Sequence, residues 1–187
     1  SSAASDVYKR QGSEGVTLTL DDGTTVSSES LLIATGRIPN SDTLDVAAAG
    51  IETHEGGRVA VDEFGRTSVD GVWSLGDLSS PYQLKHVANA EQRAVTHNVL
   101  QDWAGNDDST MVPMPHDHVP SAIFTHPQIA TVGLTEQEAV DAGFDVTVKL
   151  QNYGDVAYGW GLEDSTGVVK LVADRKSGQL LGAHYMG

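Results

Sequence analysis

Cysteine is absent from the 187 residues. The chain by itself therefore carries no disulfide framework, no thiolate metal site and no cysteine nucleophile. Long apolar runs are missing too, since none approaches the ~20 residues that span a bilayer. Basic residues are scarce: 11 Lys and Arg stand against 26 Asp and Glu, for a formal net charge of −15 and a pI near 4.5. Nucleic acid and anionic membrane surfaces both demand a basic face, so neither is expected as a partner. The acidic residues are scattered rather than run together, the pattern of a solvated exterior and not of an acidic tail. The Ser/Ala-rich start lacks the apolar stretch of a secretory signal, and a cytoplasmic location is expected. What is present suffices for a packed core. Hydrophobic residues make up 39%, over a length that suits roughly one to one and a half domains.

Residues 1–11 show no period and read as a disordered or foreign tail. From Gly15 the pattern sharpens. Val16, Leu18 and Leu20 alternate with Thr17 and Thr19, which predicts a half-buried strand. Asp21-Asp22-Gly23 reads as a hairpin turn, with residues 24–26 returning. Leu31 to Ala34 is a short, continuously apolar run, the pattern of a strand buried on both faces. It ends at Thr35-Gly36. A strand-turn-strand follows over 58–61, Phe64-Gly65 and 67–69. A second short buried strand, 72–75, ends at Gly76-Asp77. Residues 83–103 predict a helix whose apolar face is Leu84, Val87, Ala88, Ala94, Val95, Val99 and Trp103, stopped by Gly105. Residues 106–118, rich in Asp, Asn, Ser and Pro, read as a linker. Beyond them the pattern changes to strands at 123–124, 129–132, 146–150, 168–172 and 180–184, an antiparallel sheet with a turn at 174–178. One short helix interrupts it. Thr135 and Glu138 have capping-box spacing, Leu134 and Ala139 occupy the staple positions, and Gly143 suits the C′ position.

Two strand ends carry the chemistry. The first is Ala34-Thr35-Gly36-Arg37-Ile38-Pro39-Asn40; the second is Gly76-Asp77, with a helix beginning a few residues on. In α/β sheets, ligands sit beyond the carboxyl ends of strands, where a carboxylate accepts from sugar-type hydroxyls. Glycine there lets backbone approach a cofactor, and the next helix start offers unpaired N–H groups. Each signal alone is also the signature of an ordinary turn. Of the histidines, His116 and His118 have the alternation that places two imidazoles on one strand face, but no third ligand is evident and no metal site is expected. His54 and His97 read as surface or packing residues, and His184 as a core histidine with its hydrogen bonds satisfied.

In this order the segments resemble the class I pyridine nucleotide-disulfide oxidoreductases, the family of glutathione, mercuric and mycothione reductases and dihydrolipoamide dehydrogenase. Its Ala-Thr-Gly-Arg-x-Pro-Asn segment stands here at Ala34 to Asn40. Its second flavin fingerprint, an apolar strand ending in Gly-Asp, is Val72 to Asp77. Its Val-Pro-x-x-x-Phe-Thr-x-Pro-x-x-Ala-x-Val-Gly-Leu-Thr-Glu pattern is matched by Val119-Pro120, Phe124-Thr125-His126-Pro127, Ala130 and Val132 to Glu136. The resemblance implies an α/β plus α+β fold: the end of FAD- and NAD(P)-binding Rossmann-like domains, followed by an antiparallel-sheet dimerisation domain. The implied boundaries are 12–40 for the end of the NAD(P)-binding domain, 41–112 for the C-terminal part of the FAD-binding and central region, and 113–187 for a truncated dimerisation domain. It also implies a cis bond at His126-Pro127.

The same resemblance implies the site. Asp77, after Gly76, would hydrogen-bond the ribityl chain of FAD. Gln83, Leu84, Lys85 and His86 match the segment whose backbone lies against the flavin at a helix start. An acid–base role for the Lys85 or His86 side chain is the lesser alternative to these backbone contacts. Gly36 matches a backbone contact to the nicotinamide nucleotide, NADPH with NADH as alternative. Tyr153 to Trp160 and Gln83 to Asn89 resemble the mycothione-reducing branch, although the Tyr/Trp stretch is equally read as packing of the dimerisation domain. Electrons would pass from NADPH through FAD and a cysteine pair to a small-molecule disulfide, mycothione, in a homodimer. The chain lacks the family's Gly-x-Gly-x-x-Gly turns, its Cys-x-x-x-x-Cys pair and its C-terminal His-Pro and Glu. No catalytic residue is therefore assigned, and the fragment alone is expected to be inactive. The alternatives are dihydrolipoamide dehydrogenase or another sibling, and a non-enzymatic β-rich interaction module.

Overall fold

The computed structural model describes residues 8–12 and 15–187. They fall into two units, Ser1–Ile38 and Pro39–Gly187, taken separately here.

The first unit is a three-stranded antiparallel sheet in the order β1-β2-β3, with β1 at Tyr8–Gly12, β2 at Gly15–Thr19 and β3 at Thr25–Ser28. The expected strand is present as β2, but of its alternating apolar residues only Val16 is buried; Leu18 is half-buried like Thr17 and Thr19, and Leu20 is exposed. The expected turn closes it: Gly23, at φ +81°, donates its N–H to the Leu20 carbonyl, and Leu20 N–H donates to Thr24. Two further expectations differ. Residues 1–7 of the anticipated tail lie outside the described residues, but 8–11 are paired, Tyr8 with Thr19 through Gln11 with Val16. A backbone ladder holds residues that show no apolar period. Residues 31–34 form no strand among the described residues, and Leu32 and Ile33 are exposed. A run apolar on both faces needs neighbours on both sides, and no described strand pairs with it.

The second unit opens with loops and turns. The strands expected over 58–75 reduce to isolated bridges, Thr53 with Val59 and Arg66 with Trp73. Each segment has one partner for a residue or two, which is too little for a ladder. A 3₁₀ turn at Gly76–Leu78 follows, then α1 at Lys85–Trp103. The buried residues of α1 are Val87, Glu91, Ala94, Val95 and Asn98. Trp103, expected on the core face, is exposed in the last turn. Residues 106–118, expected as a linker, are largely exposed but anchored at two points. Met111 and Met114 are buried. Asn98, fully buried in α1, donates to the Phe64 and Val112 carbonyls and accepts from Val112 N–H.

The rest is a five-stranded antiparallel sheet in the order β4-β5-β8-β7-β6, with β4 at Ser121–Ile123, β5 at Ile129–Gly133, β6 at Val146–Asn152, β7 at Val168–Asp174 and β8 at Leu180–Met186. One short helix, α2 at Glu136–Asp141, covers one face. Its capping box is complete: Thr135 N–H donates to Glu138 Oε2 at 2.8 Å, and Glu138 N–H donates to Thr135 Oγ1 at 3.2 Å. Gly143 at φ +86° ends it as a Schellman turn, with Phe144 N–H bonded to the Ala139 carbonyl. Ala139, Val172 and Leu181 form the core here, with Leu134 and Val146 packed against them. Another helix, α3 at Ala157–Gly161, lies between β6 and β7 and leaves Tyr158 and Trp160 exposed. His126-Pro127 is cis, as expected.

Candidate functional site

Gly76 sits at φ +66°, which glycine adopts freely and other residues at a cost. That angle swings the chain out of its extended approach at Leu75 into the 3₁₀ turn, so that Asp77 lies exposed on its outer side. The turn is held from several directions. Ser79 and Ser80 N–H groups donate to the Gly76 carbonyl at 3.0 and 2.7 Å, and Val59 N–H donates to the Leu78 carbonyl at 3.0 Å. Gly76 N–H donates to Glu91 Oε2 at 2.6 Å. A Cβ at Gly76 would lie 3.5 Å from Ala88 Cβ, so the turn rests directly on the first turns of α1.

The chain enters α1 through Gln83, whose φ of +49° is unusual for a side-chain-bearing residue. Leu84 is the N-cap and no side chain caps it. The first-turn N–H groups at Lys85, His86 and Val87 therefore point out of the helix end without a side-chain acceptor, where the helix dipole is positive. Lys85 is exposed. The His86 ring is turned toward the sheet, its Nε2 2.8 Å from the Pro120 carbonyl. Beside it a mainly apolar cleft of about 720 Å³ runs between the helix start and the sheet, lined by Leu84, His86, Phe124, Ala130, Val132 and Tyr185 among others. Ala130 pairs with Tyr185, and Val132 with Ala183, so these side chains share the sheet face opposite Val172. Gly36 belongs to the first unit, at φ +149° with open space around the position of a Cβ.

Two of the expected site segments, the Gly76-Asp77 strand end and the helix start at Gln83, Leu84, Lys85 and His86, thus lie together in the second unit. FAD is the group the resemblance implies, and the residues fit it. Ser74 Oγ and Ser79 Oγ, on either side of the turn, are buried and lack a hydrogen-bond partner. An orphaned buried hydroxyl costs about 1–3 kcal/mol, and these two flank the turn. The uncapped helix start supplies further donors.

The two family models that match bear the same description. Pyridine nucleotide-disulphide oxidoreductase matches residues 2–94, and the dimerisation domain of the same family matches residues 119–187. The chain belongs to the pyridine nucleotide-disulphide oxidoreductases. It is 57% identical to the mycothione reductase of Mycobacterium tuberculosis (strain H37Rv) over 95% of its own length and 38% of that protein. It is 36% identical to a mercuric reductase of Lysinibacillus sphaericus, over 85% of its length and 28% of that protein. The chain thus spans well under half of these relatives. Among solved structures, LpdA of Mycobacterium tuberculosis superposes with a TM-score of 0.79 at 26% identity, covering 98% of this chain and 38% of that one. The HOCl-induced flavoprotein disulfide reductase RclA of Escherichia coli superposes with a TM-score of 0.77 at 26% identity, covering 94% and 39%. As a pyridine nucleotide-disulphide oxidoreductase the chain is a mixed α/β protein with an antiparallel dimerisation domain, from a family that uses FAD and NAD(P)H. No helix among the described residues is long and apolar enough to cross a membrane.

Sequence reasoning missed the acid at the centre of this cluster. Glu91 is fully buried beneath the turn, and its Oε1 lies 2.6 Å from His116 Nε2. The signal was in the pattern: Val87, Glu91, Val95 and Asn98 recur at helical spacing, so two polar residues occupy the apolar face of α1. His116, weighed as a metal ligand, is this carboxylate's partner. His184 has both ring nitrogens engaged, by Thr131 Oγ1 at 2.5 Å and the Leu134 carbonyl at 3.1 Å.

Proposed function

We propose that this chain is part of a mycothione reductase, the flavoprotein that passes electrons from NADPH through FAD and a cysteine pair to mycothione. One observation carries the choice within the family. Identity is 57% to mycothione reductase across 95% of the chain, against 36% to mercuric reductase and 36% to a dihydrolipoyl dehydrogenase of Halobacterium salinarum. The exposed Tyr158 and Trp160, in the segment that resembles the mycothione-reducing branch, support the same reading.

In this reading Asp77 accepts hydrogen bonds from the ribityl hydroxyls of FAD, displayed for that purpose by the left-handed turn at Gly76. Backbone N–H groups from Gln83 to His86 face the isoalloxazine ring. Their partial positive charge favours electron density on it, and no proton need move through Lys85 or His86, whose imidazole already contacts the Pro120 carbonyl. FAD, when bound, supplies the hydride acceptor between nucleotide and disulfide. Gly36 gives the nicotinamide nucleotide room at the backbone. The complete enzyme is a cytoplasmic homodimer joined through the dimerisation domain. The test is steady-state oxidation of NADPH by the complete enzyme with mycothione, lipoamide (the cyclic disulfide) and oxidised glutathione. The highest kcat/KM is expected for mycothione; a preference for either of the others removes the substrate assignment and leaves the family standing.

A further inference from the structure

Glu91 is the acid among the described residues with no exposed surface at all. A leucine there would fill similar space without the several kcal/mol that burying a carboxylate costs, so the acid gains only through what it binds. It binds two things. Oε2 accepts from Gly76 N–H at 2.6 Å, the residue that sets the turn carrying Asp77. Oε1 lies 2.6 Å from His116 Nε2, which faces a carboxylate and therefore donates. His116 in turn packs edge-on against Tyr82, with ring centroids 5.2 Å apart, and its carbonyl accepts from the Tyr82 hydroxyl at 3.3 Å. Tyr82 immediately precedes Gln83 and the start of α1. One carboxylate thus ties together both elements that converge on the site, the Gly76 turn directly and the approach to the helix start through His116 and Tyr82.

We infer that Glu91 is a positioning residue of the flavin site, acting through the backbone of Gly76 to fix Asp77 and through His116 to fix the entry to α1. This rests on the proposal that Asp77 contacts FAD. Glutamine can keep both bonds, its carbonyl accepting from Gly76 and its amide donating to a neutral His116; alanine keeps neither.

The experiment measures FAD dissociation constants of the complete enzyme by flavin fluorescence for the unsubstituted protein, D77A, E91A, E91Q and D77A/E91A, with urea unfolding to confirm that each is folded. Loss of a buried acceptor predicts that E91A weakens FAD binding ~tenfold or more, that E91Q restores it to within ~threefold, and that E91A costs less in the D77A background than alone, retaining there only the ~threefold carried through His116. A general loss of packing would not be rescued by glutamine and would multiply with D77A. Unchanged affinity in E91A, or independent effects of E91A and D77A, overturns the inference. If E91A does not fold, H116A reads the same tie from its half-buried end. It is expected to weaken FAD binding ~threefold or more in both the unsubstituted and the D77A background, because it acts through the entry to α1 and not through Asp77; no effect in either background, or an effect lost in D77A, overturns the inference. An unsubstituted enzyme that binds no FAD contradicts the flavin reading itself, a different result from any of these.

Discussion

At Asp77 the chain places a carboxylate where the turn geometry, not the side chain, does the aiming. The residue could be named from the sequence because Gly-Asp after an apolar strand is a local pattern. Glu91 could not, because its role depends on Gly76 and His116, 15 and 25 residues away along the chain. In the complete enzyme Asp77→Ala is expected to weaken FAD retention by about 1–3 kcal/mol, the worth of a buried hydrogen-bond partner. Equilibrium dialysis against FAD checks this, and unchanged retention removes Asp77 from the site. Asp174 and Glu138 are two of the carboxylates that shape the response to acid, beside Asp22, Asp108 and Asp164, which are also held low. The Ser177 hydroxyl, then its N–H, holds Asp174 below the ordinary 3.8. The Thr135 N–H, then its hydroxyl, holds Glu138 below the ordinary 4.5. Both folded values are depressed, so the stability they contribute is whole above the ordinary values and is lost as pH falls through the folded ones. Urea midpoints should therefore hold steady from neutral pH to about pH 5 and drop below about pH 4, with a smaller drop in D174N. A midpoint that rises on acidification would contradict this.

Among the elements, those with local instructions were legible. The β2 hairpin, α1, α2 and the five strands of the second sheet all follow from period, cap and turn residues. The apolar runs at 31–34 and 72–75 were not, since an apolar run specifies burial and its partners decide whether burial becomes a strand. Nor was the anchoring of 106–118, whose polar composition conceals Met111 and Met114. The α2 region is where element-level predictions are sharpest. Thr135→Ala removes the cap and is expected to lower stability by about 1 kcal/mol. Gly182 faces Gly133 across the β5–β8 ladder, and a Cβ on it would lie 1.9 Å from the Leu134 carbonyl oxygen. Gly182→Ala is therefore expected to cost at least about 2 kcal/mol, because backbone must move. Urea denaturation of the purified variants measures both, and an unaffected midpoint in Gly182→Ala would show that β5 and β8 do not meet this way.

For the whole molecule, composition and charge bounded the class of partner, and motif order located the family. The position of the Gly76–Leu78 turn against α1 needed the fold. The sheet unit also leaves apolar groups uncovered: Ile123, Phe124, Val148, Leu150 and Trp160 are all exposed. Exposed apolar surface on a sheet is what an interface covers, so the purified chain is expected to self-associate with rising concentration in sedimentation experiments, and a monomer throughout would count against the proposed homodimer. The central claim, that FAD lies across the Gly76–Leu78 turn and the start of α1, is tested most directly by amide hydrogen exchange on the complete enzyme with FAD bound and stripped. FAD is expected to slow exchange at Asp77 and at the first-turn N–H groups of Lys85, His86 and Val87. Protection confined to other segments, with these amides unchanged, would contradict it.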